Sequence, residues 1–104
     1  RSIGWPRSSM AAERRSEALN SLFADATSAG LEFGADLVGF DFRAQLESVT
    51  LLYDPPVPLR SRYVIAREAM LIGIKQTLAT MGWAADIVRQ HGGKTIRVMV
   101  PHGR

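Results

Sequence analysis

A proline-free run from Tyr63 to Met81, rich in Ala, Leu, Met, Ile, Lys and Gln and followed by Gly82, suits a long helix and little else. Two β-prone segments follow at once around the pair Gly92-Gly93. A helix feeding straight into a hairpin, in a chain of 104 residues, points to one small layered domain.

On a 3.6-residue wheel, Tyr63, Met70, Ile74, Leu78 and Met81 fall in one stripe, with Ile65, Ile72 and Ala79 beside it. That belt is wider than one neighbour covers. With Trp83, Val98 and Val100 it reads as a subunit interface or an apolar pocket, and a homodimer would bury it. Gly73 lies mid-helix, where glycine costs roughly 1 kcal/mol against Ala, and so suggests close approach by another backbone.

The hairpin from Trp83 to Pro101 has a register that can be argued from its pattern. With Gly92-Gly93 as a two-residue turn, His91 pairs with Lys94, Arg89 with Ile96, Ile87 with Val98 and Ala85 with Val100. One face is then nearly all apolar. The other carries Asp86, Val88, Gln90, Thr95, Arg97 and Met99.

Residues 1–7 read as a flexible lead with Trp5 as its anchor, and residues 8–104 as a single domain. From Ser8 or Ser9, a helix to about Ala29 carries the narrower stripe Ala18, Leu19, Leu22, Phe23, Ala26 and Ala29, with Gly30 as its stop. Val38, Phe40 and Phe42 alternate with Gly39, Asp41 and Arg43 as in a strand, and 44–47 reads as a turn. Ser48–Tyr53 is a second strand, closed by Asp54-Pro55-Pro56, and the prolines through Pro58 form an extended connector. The expected fold is therefore α+β, a two-layer sandwich in the order helix-strand-strand-helix-strand-strand, with both helices on one face of an antiparallel sheet. A faint echo, Ala26-Thr27, Gly30 and Ala35-Asp36-Leu37-Val38 against Ala79-Thr80, Gly82 and Ala85-Asp86-Ile87-Val88, suggests two helix-plus-hairpin units.

The absence of cysteine excludes disulfides, thiolate metal sites and cysteine nucleophiles. Arg67, Glu68 and Lys75 interrupt the best membrane candidate, so no membrane partner is expected and cytoplasmic is the default location. His91 and His102 with Asp86 suggest acid-base chemistry, and Asp36, Asp41, Glu47 and Asp54 a metal, but no spacing supports either. No phosphate loop, nucleophile elbow or zinc-protease helix is present, so no catalytic residue, metal ligand or cofactor is assigned.

The net charge of +3, from 13 Lys and Arg against 10 Asp and Glu, permits nucleic acid. Arg89, His91, Lys94 and Arg97 gather on the last hairpin, and Arg60 and Arg62 stand at the start of the central helix. The stretch Ala69-Met-Leu-Ile-Gly73-Ile74-Lys75-Gln76-Thr77-Leu78 resembles the turn region of bacterial helix-turn-helix proteins, with Glu68 where that family has an apolar residue. The resemblance implies a winged-helix DNA-binding regulator built from residues 65–82, with the basic hairpin 83–101 as the wing. The leading expectation is different: a non-enzymatic, homodimeric interaction domain that binds a protein or small ligand through its sheet or interface.

Overall fold

The computed structural model describes residues 7–53, 61–90 and 93–101, with side chains from residue 13 in the first helix and from residue 67 in the second. Helix α1 (Arg7–Glu32) leads through a short 3-10 turn (Ala35–Val38) into strands β1 (Phe40–Ala44) and β2 (Ser48–Tyr53). Helix α2 (Ser61–Thr80) then leads into β3 (Ala85–Gln90) and β4 (Gly93–Met99). The four strands form one antiparallel sheet in the order β1-β2-β4-β3. Both helices pack on the same face of it, so the α+β sandwich is as expected.

The core lies between the layers. Leu22, Ala26 and Ala29 of α1 and Met70, Leu71, Ile74 and Leu78 of α2 meet Phe40, Phe42, Val49, Leu51, Ala85, Ile96, Val98 and Val100. Small residues on α1 let that helix lie low over β1. Thus α1 and the sheet between them cover Met70, Leu71, Ile74 and Leu78 of α2, while Ile72 and Met81 stay exposed. Along the strands, inward and outward residues alternate as a half-covered sheet requires.

Two glycines act differently from their sequence reading. Gly30 does not stop α1, which runs on to Glu32 and ends at Gly34 with φ 74°. A Cβ at Gly30 would lie 2.7 Å from Cε2 of Phe42, so this glycine is the notch that seats a core ring. Gly73 also answers to a ring rather than to a backbone, since a Cβ there would lie 2.7 Å from Cζ of Phe33. Gly82 does end α2 as expected: its φ is 94°, its N–H donates to Ala79 O and that of Trp83 to Leu78 O. This Schellman turn aims Trp83 at α1, where its Nε1 donates to Asp25 Oδ2 at 2.8 Å.

The last hairpin adopts a register shifted from the expected one. Ala85 pairs with Val98, Asp86 with Arg97, Ile87 with Ile96, Val88 with Thr95, Arg89 with Lys94 and Gln90 with Gly93. The shift is by two residues, so each side chain keeps its face and the apolar segregation survives. His91 and Gly92 fall outside the described residues, as do Trp5, Arg60, His102 and the proline connector.

The two helix-plus-hairpin units are present, but at another offset than the sequence echo suggested. Ala35–Val38 is a 3-10 turn while Ala85–Val88 lies in β3. Register matches Asp41↔Leu52 to Asp86↔Arg97 and Arg43↔Thr50 to Val88↔Thr95, a displacement of 45 residues. Asp41 and Asp86, Gln45 and Gln90, Thr50 and Thr95 are then equivalent pairs.

At about 1.5 Å per residue α1 is roughly 39 Å long, against roughly 20 Å for a strand, so it overshoots the sheet. Residues Glu13 through Glu17 are exposed and packing begins at Ala18 and Leu19. No helix among the described residues is long and apolar enough to cross a membrane.

Two outcomes are expected. Gly30→Ala lowers stability by about 1 to 3 kcal/mol despite the helix propensity it gains, because Phe42, 4% exposed, cannot move aside. Gly73→Ala costs less, because the Phe33 ring, 38% exposed, can swing outward; urea unfolding of both variants checks the contrast. Under oxidising conditions Val88→Cys with Thr95→Cys cross-links, whereas Val88→Cys with Arg97→Cys, a diagonal pair, does not; thiol counting reads the result.

Candidate functional site

The face of the sheet opposite the helices has no covering element among the described residues. Its side chains are those that alternate with the core positions. One row crosses all four strands: Arg43 on β1, Thr50 on β2, Arg97 on β4 and Asp86 on β3. The row on one side of it holds Asp41, Leu52, Thr95 and Val88, and on the other side Ser48 pairs with Met99. The face is therefore a polar band with apolar residues, Leu52, Met99 and Val88, around it.

Short side chains sit in the middle of this band and long ones lean over them. Thr50 is 0% exposed although nothing packs on its face, since Arg43 and Arg97 flank it and Gln45 reaches back across β2. The Oγ of Ser48 and the Oγ1 of Thr50 both donate to Gln45 Oε1, at 3.0 and 3.3 Å. Thr95 Oγ1 donates to the carbonyl of Leu51, tying β4 to β2. The tight turn Gln45–Ser48, closed by the Gln45 N–H on Ser48 O at 2.7 Å, is what brings the Gln45 amide over the strand.

The charges of the band are unevenly matched. Arg43 Nη2 lies 3.3 Å from Asp41 Oδ2, an exposed pair. Arg97 is half-buried, and its Nε is enclosed without a hydrogen-bond partner. Asp86 stands directly across from Arg97, yet the two make no ion pair in the structure. A guanidinium Nε–H shut away from water without an acceptor forgoes a strong interaction. This is the one buried side-chain donor or acceptor left without a partner among the described residues.

The expected basic patch is divided by the sheet. Arg89 and Lys94 are cross-strand partners, and strand alternation puts them on the helix side, where Lys94 Nζ lies 3.9 Å from Glu68 Oε1 of α2. Arg97 is on the open face. Arg67 stacks 5.0 Å above the Tyr53 ring at the same helix-side margin. Arg60 and His91 lie outside the described residues, and Arg62 is in α2 with its side chain undescribed.

Of the residues assigned to an apolar interface, Met70, Ile74 and Leu78 lie in the core. Met81 is 43% exposed, and Trp83 is half-buried against α1. The side chain of Tyr63 is not among those described. The helix-turn-helix geometry is absent, because Ala69 through Leu78 lies inside one unbroken helix. Neither a turn nor a separate reading helix interrupts residues 65–80. Sequence reasoning missed Arg43, Thr50 and Gln45; the alternation of Ser48–Tyr53 held the signal, but nothing in it said which face would stay uncovered.

A recess of about 60 Å³ lies along the β1 edge between α1 and the 3-10 turn, lined by Thr27, Gly30, Leu31, Asp36, Phe40 and Asp41 among others. It is shallow. No group of three or more His, Asp or Glu side chains able to hold a metal occurs among the described residues.

No protein-family model matches the chain, and no curated protein matches it. Two solved structures of an IMP-nucleotidase from Plasmodium falciparum, one of them an IMP-bound mutant, are similar in fold. Each has a TM-score of 0.50 and 14% sequence identity over 81% of this chain. The chain spans 22% of the nucleotidase's length. The likeness concerns the arrangement of strands and helices alone.

Thr50→Val, which keeps the shape and removes the hydroxyl, is expected to cost about 1 kcal/mol in chemical denaturation, the usual worth of a part-buried hydrogen bond. In a Gln45→Ala background the same change costs clearly less, because the acceptor is already gone.

Proposed function

We propose that this chain is a non-enzymatic interaction domain that binds a small ligand or a partner through the open face of its sheet. The observation that carries this reading is the uncovered band itself. Four strands present Arg43, Thr50, Arg97 and Asp86 in one row beside exposed Leu52 and Met99, and an enclosed guanidinium donor there has no partner. The helix-side face is filled by the chain's own core, and strands of a sheet offer rigid, evenly spaced positions for contact.

Self-association belongs to the proposal through the exposed stretch Glu13–Glu17 of α1, since Met70, Ile74 and Leu78 of α2 are used inside the domain. The nucleotidase similarity supports the fold, and no nucleotidase activity is carried over to this chain.

Amide NMR of the full chain during a screen of uncharged fragments tests the site. Hits are expected to move Thr50, Leu52, Val88, Thr95, Arg97 and Met99. Hits that instead collect in the recess beneath α1, or on the helices, remove the open face as the binding surface. Light scattering at high micromolar concentration decides self-association, and a monomer there removes the dimer.

A further inference from the structure

This inference rests on the reading of the open face as the binding surface and names its ligand. We propose that Arg43 and Arg97, flanking the buried Thr50, form a site for the phosphate monoester group of a small molecule.

Geometry comes first. Arg43 and Arg97 occupy the strands on either side of Thr50 at the same register level. Neighbouring strands lie about 4.8 Å apart, so two arginines stand on opposite sides of one small residue. Beside them lies the Gln45 amide, whose Oε1 accepts from Ser48 and Thr50 and whose NH2 group is a further donor.

Neither arginine is held by a buried partner. Arg97 is half-buried; its enclosed Nε has no acceptor, and Asp86, the carboxylate across from it, makes no ion pair with it. The contact between Arg43 and Asp41 is between exposed groups and yields readily to a better acceptor. Donors arriving from two sides suit the three terminal oxygens of a tetrahedral phosphate, whereas one guanidinium fork already saturates a planar carboxylate.

Charge and area select the size of the ligand. Asp41 and Asp86 stand at the two outer strands, so the positive centre is narrow and the face as a whole is close to neutral. A nucleic-acid backbone crossing the sheet would meet both carboxylates and gain little long-range attraction. A second copy of the chain is disfavoured by area. Four strands of about six residues span roughly 400 Å², so two such faces bury roughly 800 Å², within the range of crystal contacts and under a stable interface.

The test is a titration of the full chain with phenyl phosphate and with inorganic phosphate at constant ionic strength, read by backbone amide and arginine Nε–H NMR. Saturable shifts are expected at Arg43, Thr50 and Arg97, with benzoate at least tenfold weaker. Arg97→Gln weakens phenyl phosphate at least tenfold, and so does Arg97→Lys, which keeps the charge but loses the fork. Arg89→Gln, on the helix side, leaves binding unchanged. If the Arg97 variants do not fold, Arg43→Gln carries the test, because position 43 is an exposed position on an outer strand. The proposal is overturned by shifts centred on Arg89 and Lys94, by benzoate binding as tightly as phosphate, or by wild-type affinity in a folded Arg97→Gln or Arg43→Gln protein. Uncharged fragments on the open face with no phosphate binding would sink this inference alone. Neither on that face would sink the underlying reading as well.

Discussion

The pairing of β2 with β4 is what makes this chain one domain. Ser48↔Met99, Val49↔Val98 and Thr50↔Arg97 join two helix-plus-hairpin halves whose strands otherwise pair only within each half. The Val100 N–H on Glu47 O and the Thr95 hydroxyl on Leu51 O extend the same seam at its two ends. Without that seam each half would be a helix on a two-stranded ribbon, which is marginal in water. With it, Val49, Leu51, Ile96 and Val98 form a continuous apolar floor on which both helices settle.

The candidate site follows from the seam. Bringing β2 against β4 sets Thr50 beside Arg97, and the β1–β2 hairpin adds Arg43 from the other side. The helices consume one face of the sheet, which leaves the polar alternates of the same strands on the other. Core and candidate site are thus opposite faces of the same strands, and a register slip of one would exchange them. The actual slip relative to the sequence reading was two residues, which changed the partner of Arg97 from Val88 to Asp86 and left the faces intact.

Much of the element order was legible because periodicity and punctuation are local. The apolar spacing of α2, its Gly82 stop and the β-branched run Ser48–Tyr53 act within a few residues of themselves. The roles of Gly30 and Gly73 were not legible. Both glycines answer to rings far along the chain, Phe42 and Phe33, and a glycine kept for a distant ring looks in sequence like a stop or a flaw. The helix-turn-helix resemblance misled for a related reason: Ala69, Gly73 and Leu78 are compatible with a turn, but the core contacts of Met70, Leu71, Ile74 and Leu78 hold the whole segment in one helix.

What the sequence by itself determined was the set of elements, their order and the two-faced character of each strand, because hydrophobic alternation and helix ends are written in neighbouring residues. What only the tertiary structure decided was which strands meet at the centre and which face stays open. Those depend on β2 finding β4 some fifty residues away, from Val49 to Val98, and on both helices choosing the same side. That choice buried Met70, Ile74 and Leu78 of α2, divided Arg97 from Arg89 and Lys94, and placed an unpartnered guanidinium Nε beside Thr50 on the sheet face that the helices leave open.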